Sequence, residues 1–275
     1  MRDLLYAGLA RLRKNRVFWL AVILLALVAV GGVVTKYSDM VRYDLQETFE
    51  SAALVYAVFG GCASAVFCGL FTGTEYSDGA LRNKLIVGHS RRAVYLAQWS
   101  VSVVAALGMA LAYLAAYCLL GLPLLGAPQM SVGKLLTLVA VSLCTITAYT
   151  SLFHLVAMLQ THKSSAAVLC ILLFLGLLVC GLVVQGMLEA PEFVTEYELT
   201  VNGASASEPR PNPKYLYGTA RAVWQFIHDL LPGGQSLQLS MANAAHPLTI
   251  ALCAVGVSLL SCVGGVLAFE NKDLR

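Results

Sequence analysis

An all-α membrane protein with six transmembrane helices and both termini in the cytoplasm is what three features of the sequence predict. First, 59% of the residues are hydrophobic and only 12% charged, about half the charged share of an average soluble domain. Second, the charges are clustered, leaving six uncharged stretches that can each cross a hydrocarbon core of about 30 Å, which takes about 20 helical residues. Third, Arg2, Arg11, Arg13, Lys14, Arg16, Arg82, Lys84, Arg91, Arg92, Lys163, Lys272 and Arg275, 12 of the 18 bases, fall on one side of that layout. Lys36, Arg42, Lys134, Arg210, Lys214 and Arg221 fall on the other, with 10 of the 15 acids. The positive-inside bias therefore puts both ends in the cytoplasm of a multi-pass cell-membrane protein.

Residues 1–16 read as an interfacial helix: Leu4, Leu5, Gly8, Leu9 and Leu12 share a face and the bases lie mostly elsewhere. The rival reading, a signal peptide, fits poorly, because the apolar run of about 18 residues exceeds the usual 7 to 15. The spans are expected at 17–34, 51–74, 93–122, 135–161, 164–188 and 247–269. Residues 35–50 between the first two spans read as a solvated loop. In the second span, Gly69-x-x-x-Gly73 is a close-packing motif. Pro123 and Pro128 are expected to stop the third helix near Gly121.

The fourth span carries stripes of Ser142, Thr145 and Tyr149 and of Thr147, Ser151 and His154. Hydroxyls in lipid bond back to their own backbone or across to a neighbour. His154 is the only His, Lys, Arg, Asp or Glu well inside a span, which marks it as a polar contact together with Ser151. A neutral, hydrogen-bonded structural imidazole is the stronger of its two readings, since it sits about 10 Å from the inner end.

The longest connection, 189–246, is expected outside. Glu189, Glu192, Glu196 and Glu198 read as a solvated acidic face rather than a cation site. Thr200-Val-Asn-Gly reads as a strand end and turn, and Glu208 to Lys214 as extended. From Leu216 to Leu231 apolar residues recur at helical spacing, closed by Pro232-Gly233-Gly234, with a second short apolar piece at Ser236 to Ala245. Both read as helices dipping into the outer interface.

The stretch 75–92 joins the second and third spans on the cytoplasmic side. As a helix, Ser77 caps it, Asp78 sits in the first turn and Gly88 closes it. Leu81, Leu85 and Ile86 then share one face, with Arg82, Asn83 and Lys84 around the rest.

Several chemistries are absent. No G-x-x-x-x-G-K-[ST] occurs, so ATP is not held through a P-loop. Neither H-E-x-x-H nor G-x-S-x-G is found. Six of the eight cysteines, Cys62, Cys68, Cys144, Cys170, Cys180 and Cys262, lie inside predicted spans, which speaks for packing rather than disulfides or metal binding. The net charge of +3 gives no reason to expect nucleic acid.

The run Gly73-Thr-Glu-Tyr-Ser-Asp-Gly-Ala-Leu-Arg-Asn-Lys-Leu-Ile-Val-Gly-His-Ser-Arg91 resembles the loop after span two in membrane subunits of type-2 ABC exporters, the ABC-2 permeases. Leu231-Pro-Gly-Gly-Gln-Ser-Leu-Gln, the terminal Phe269-Glu-Asn-Lys-Asp-Leu and the whole layout are similar too. The resemblance implies a dimer, homomeric or heteromeric, of permease subunits on a cytoplasmic ABC ATPase that holds the ATP and Mg²⁺, with no cofactor on this chain. It also implies that 75–92 forms a coupling helix, with Glu75, Tyr76, Asp78, Leu81, Arg82 and Lys84 docking the ATPase; the bases Arg91 and Arg92 read separately as facing anionic lipid. The expected substrate is a hydrophobic or amphipathic molecule moved outward, such as an antimicrobial peptide or a lipid-like compound. The alternatives are an intramembrane enzyme using Ser151 and His154, and a non-transporting sensor or anchor.

Overall fold

The computed structural model describes residues 1–194, 197–200, 203–206 and 209–272. Six helices are long and apolar enough to cross a membrane: α2 (Arg16–Tyr43), α4 (Tyr56–Ser77, preceded by the single turn α3, Glu50–Ala53), α6 (Arg91–Leu125), α7 (Val132–Leu159), α8 (Lys163–Leu188) and α11 (Pro247–Glu270). The short helices are α1 (Arg2–Arg13), α5 (Ala80–Ile86), α9 (Gly218–Leu230) and α10 (Pro232–Ser240). We call the end holding α1, α5 and the end of α11 basal, and the other end distal.

The helix ends depart from expectation in three places. The first span continues past Val34 to Tyr43, so most of the expected solvated loop is helix; Lys36 in it pairs with Glu47 at 3.0 Å. That hydrogen bond is the main reason the Glu47 carboxyl titrates below its ordinary range. The second span is broken between Ala53 and Tyr56. The third helix runs through Pro123 to Leu125 and stops at Gly126, whose φ of 85° leaves the helical region. A proline this close to the end removes only one bond, and Leu119, whose carbonyl it frees, is exposed.

Small residues set the close contacts. A Cβ on Gly69 would sit 2.6 Å from Ala167 Cα, and one on Gly73 2.8 Å from Lys163 Cα, so the Gly69-x-x-x-Gly73 motif seats α4 on the start of α8 as expected. Helix α1 does more than lie on a surface. Its Leu4, Gly8 and Leu12 are buried, and Gly8 is pressed against Val101 of α6.

At the distal end the chain folds back into the bundle. Pro232-Gly233-Gly234 does not merely close α9; it opens α10, with proline at the start. The glycines let α10 lie backbone to backbone on α8, since a Cβ on Gly181 would meet Gly233 C at 2.7 Å. Ser236 reaches the Tyr149 hydroxyl at 3.1 Å. Helix α9 points its polar side inward, burying His228 and Asp229, and leaves Val223, Phe226 and Leu230 exposed. Between α8 and α9, β2 (Tyr197–Thr200) pairs antiparallel with β3 (Gly203–Ala206), and β1 (Phe193–Val194) with β4 (Arg210–Pro211). These small ladders qualify the all-α expectation. The expected turn at Val201 and Asn202, Glu196 and Glu208 of the acidic and extended stretches, and the terminal Asp273 to Arg275 lie outside the described residues.

Candidate functional site

The basal end gathers the sequence-predicted residues around one buried carboxylate. Helix α4 carries on through the expected cap, so Ser77 is its last residue and Asp78 its C-cap. Ser77 Oγ instead donates back to Thr74 O at 3.1 Å. Gly79, at φ 68°, ends α4 and begins α5 in the left-handed region, which costs glycine no Cβ clash. Gly88, at φ 98°, closes α5 as expected, with its N–H donating to Leu85 O at 3.0 Å.

Glu75, expected on the docking surface, lies inside at 2% exposure. Lys84 Nζ donates to both of its oxygens at 2.8 Å, and Arg11 of α1 forms an ion pair with Oε1. Gln98 of α6, in the amide orientation that matches donors to acceptors, donates to both oxygens at 3.2 Å. Arg11 also donates to Phe71 O at 2.6 Å and lies 4.2 Å over the Phe71 ring. One carboxylate thus ties α1, α4, α5 and α6 together.

Tyr76 forms a second tie. Its hydroxyl donates to Met158 O at 2.6 Å and accepts from Lys272 Nζ at 3.0 Å. Lys272 donates further to Met158 O and Gln160 O at 3.0 and 3.2 Å, and burial pulls its ammonium down to about 8. Leu81 is buried with Leu4, Val94, Tyr95, Ala97, Met158 and Phe269. Of the six expected docking residues, Tyr76, Leu81 and Lys84 therefore hold the short helix in place alongside Glu75, and Asp78 and Arg82 are exposed.

The exposed tip was only partly foreseen. Leu85 packs inward against the Leu81 cluster, but Ile86, expected beside it, points out at 73% exposure, and Val87 follows at 78%. The helix has only seven residues and starts at Ala80, so its register is set by Leu81 rather than by a longer apolar stripe. Arg11, Gln98 and Lys272 were missed as site residues. For Arg11 the available signal was its place seven residues after Leu4, on the buried side of α1.

Arg91 does not face lipid alone: its guanidinium donates to Glu270 O at 2.9 Å and Phe269 O at 3.2 Å. Arg92 forms an ion pair with Glu270. Both clamp the start of α6 to the end of α11.

A family profile described as ABC-2 family transporter protein matches residues 4–181. The chain belongs to the ABC-2 transporter family. No curated protein matches it. Membership makes it a transporter's membrane subunit, a permease, and implies an ABC ATPase as partner. The matched range of this ABC-2 permease takes in α1, the buried Glu75 network and α5.

The second candidate, Ser151 with His154, is not a dyad in this permease. His154 is fully buried and its Nδ1 lies 3.4 Å from Ser102 Oγ. Ser151 Oγ donates to Thr147 O at 2.8 Å and accepts from Trp99 Nε1 at 2.9 Å. Each meets a different neighbour on α6, and no hydrogen bond joins them among the described residues, while His154 Nε2 is unpaired. The His154 ring packs edge-on against Tyr95 at 4.9 Å between centroids.

Proposed function

We propose that this chain is the permease of an ATP-driven ABC exporter that moves a hydrophobic or amphipathic molecule outward, with its basal end in the cytoplasm. In this reading α5 is the coupling helix. Asp78, Arg82, Ile86 and Val87 meet the ATPase, while Glu75, Tyr76, Leu81 and Lys84 pass its movement to α1, α4, α6 and α11. The permease works as a dimer, and ATP and Mg²⁺ stay on the partner.

The observation that carries this is a short helix exposed at its tip and fastened at its root. Ile86 and Val87 are open beside Arg82, and the same helix is bound through Leu81 and Lys84. A groove on a partner can grip an apolar tip with a flanking charge, and a buried ion pair transmits a push rather than absorbing it. The basic excess of this end supports its cytoplasmic placement.

Co-expression with an ABC ATPase tests the reading. Arg82→Glu and Ile86→Asp are expected to lower co-purification and substrate-stimulated ATP hydrolysis roughly tenfold, the weight of a central interface residue, without changing the permease's melting temperature. Stimulation equal to wild type in both variants would overturn it.

A further inference from the structure

A second site lies at the distal end, away from the coupling helix and independent of it. A cavity of about 210 Å³ opens between the last turn of α8, the inward face of α9 and the segment leaving α10. Its polar lining comes from Gln185 of α8 and Glu189 at its C-cap, Arg221, Gln225 and His228 of α9, and Gln238 of α10. Three of these carry buried atoms with no hydrogen-bond partner among the described residues: Arg221 Nη1, His228 Nε2 and Gln185 Oε1. Gln185 is 9% exposed and His228 3%. Native folds rarely leave such atoms unpaired, so each marks a missing partner.

The remaining polar atoms define what that partner is. Arg221 Nη2 donates to Leu188 O at 3.0 Å, and the guanidinium stands 5.3 Å over the Tyr215 ring. Gln185 Nε2 donates to Glu189 Oε1 at 2.8 Å. Asp229 Oδ1 accepts from Gln225 and Gln238 at 2.9 and 2.8 Å, which holds both amides in place and leaves each a second N–H. What stays open is a cationic donor, Arg221 Nη1, with the His228 Nε2 ring nitrogen, and, on the α8 side, the Gln185 amide oxygen beside the exposed Glu189 carboxylate. The complement is a ligand that carries both an anion and an N–H-bearing cation.

The surroundings identify its source. On its other face α9 exposes Val223, Phe226 and Leu230, a stripe that acyl chains cover. A helix is only about 10 Å across, so a phospholipid lying along α9 can bring its headgroup to the cavity. We propose that this cavity binds the phosphoethanolamine headgroup of a membrane phospholipid, with the phosphate on Arg221 Nη1 and the ammonium on Gln185 Oε1 and Glu189. Phosphocholine has no N–H for Gln185, and phosphoglycerol brings no cation for Glu189.

The test uses the full-length protein in nanodiscs holding phosphatidylethanolamine and phosphatidylcholine of identical chains, read by native mass spectrometry. Wild type is expected to retain the ethanolamine lipid about tenfold over the choline lipid, the discrimination of one charge-assisted hydrogen bond. Arg221→Ala and Gln185→Leu are expected to abolish the preference, and Arg221→Lys to keep part of it. Equal retention of both lipids by wild type overturns the proposal without relying on any variant. If soluble glycerophosphoethanolamine raises the melting temperature at the concentrations at which the lipid does, the lipid is not the source and the proposal fails.

Discussion

At the scale of single residues, Glu75 carries the most consequence. A buried carboxylate is tolerable when its charge is matched and its lone pairs are filled. Here Arg11, Lys84 and Gln98 do both. Glu75→Gln keeps the shape and removes the charge, and it is expected to cost about 2 kcal/mol, the weight of hydrogen bonds to a charged group. Denaturant titration of the purified protein in mixed micelles checks this, and no measurable loss would refute the buried network. Arg11→Gln should add little on top of Glu75→Gln, because both remove one interaction.

Lys272 makes a residue-scale prediction of a different kind. Its folded-state value of about 8 lies below the ordinary 10.5, because burial disfavours the ammonium. Below pH 8 folded and unfolded chains both hold the proton, and the burial penalty is present in full. Between 8 and 10.5 the unfolded chain binds more protons, so this group's contribution to stability rises with pH across that window. Reductive methylation with ¹³C followed by NMR should give an inflection near pH 8 for Lys272, and an inflection above 10 would contradict its burial.

At the scale of elements, the six spans were legible because lipid demands long uncharged helices, and the runs are unbroken. Their ends were not. Residues past Val34 stay helical in spite of Lys36, Asp39 and Arg42, because a helix leaving the membrane needs no apolar sequence to continue. Helix α5 was legible as an element through its glycines, yet its inward and outward faces were not. Glu75 looks like a surface charge until Arg11, 64 residues earlier, is brought beside it. The placement of α10 was hidden similarly: expected at the outer interface, it is buried in the bundle, since periodicity reveals a face but not whether protein or lipid takes it.

Two glycines turn this into a prediction. Gly79→Val forces a β-branched residue into φ 68° and is expected to cost about 1–2 kcal/mol. It should also loosen α5 alone, seen as faster hydrogen exchange over 80–88 with the spans unchanged. Gly69→Leu instead collides with the Ala167 backbone, and the expected result is separation of α4 from α8 and a large drop in folded yield. Unchanged exchange in the first variant, or normal yield in the second, would contradict the packing described here.

At the scale of the whole molecule, the basal end behaves as one fastened unit. Glu75 joins α1, α5 and α6 to α4, and Tyr76 with Lys272 joins α4 to the ends of α7 and α11. Arg91 and Arg92 join α6 to α11. A force applied to α5 would therefore reach four of the six spans without passing through a flexible loop. The distal end, by contrast, is assembled from α9 and α10, with α10 folded into the bundle.

The most direct test of the central claim, that α5 receives the ATPase, is site-specific photo-crosslinking in cells that co-express the two proteins. A photoreactive amino acid at Ile86 or Arg82 is expected to give a covalent permease–ATPase adduct, whereas the same residue at Phe226 of α9, also exposed, gives none. Absence of the adduct from both basal positions, in cells where the complex co-purifies, would contradict the account.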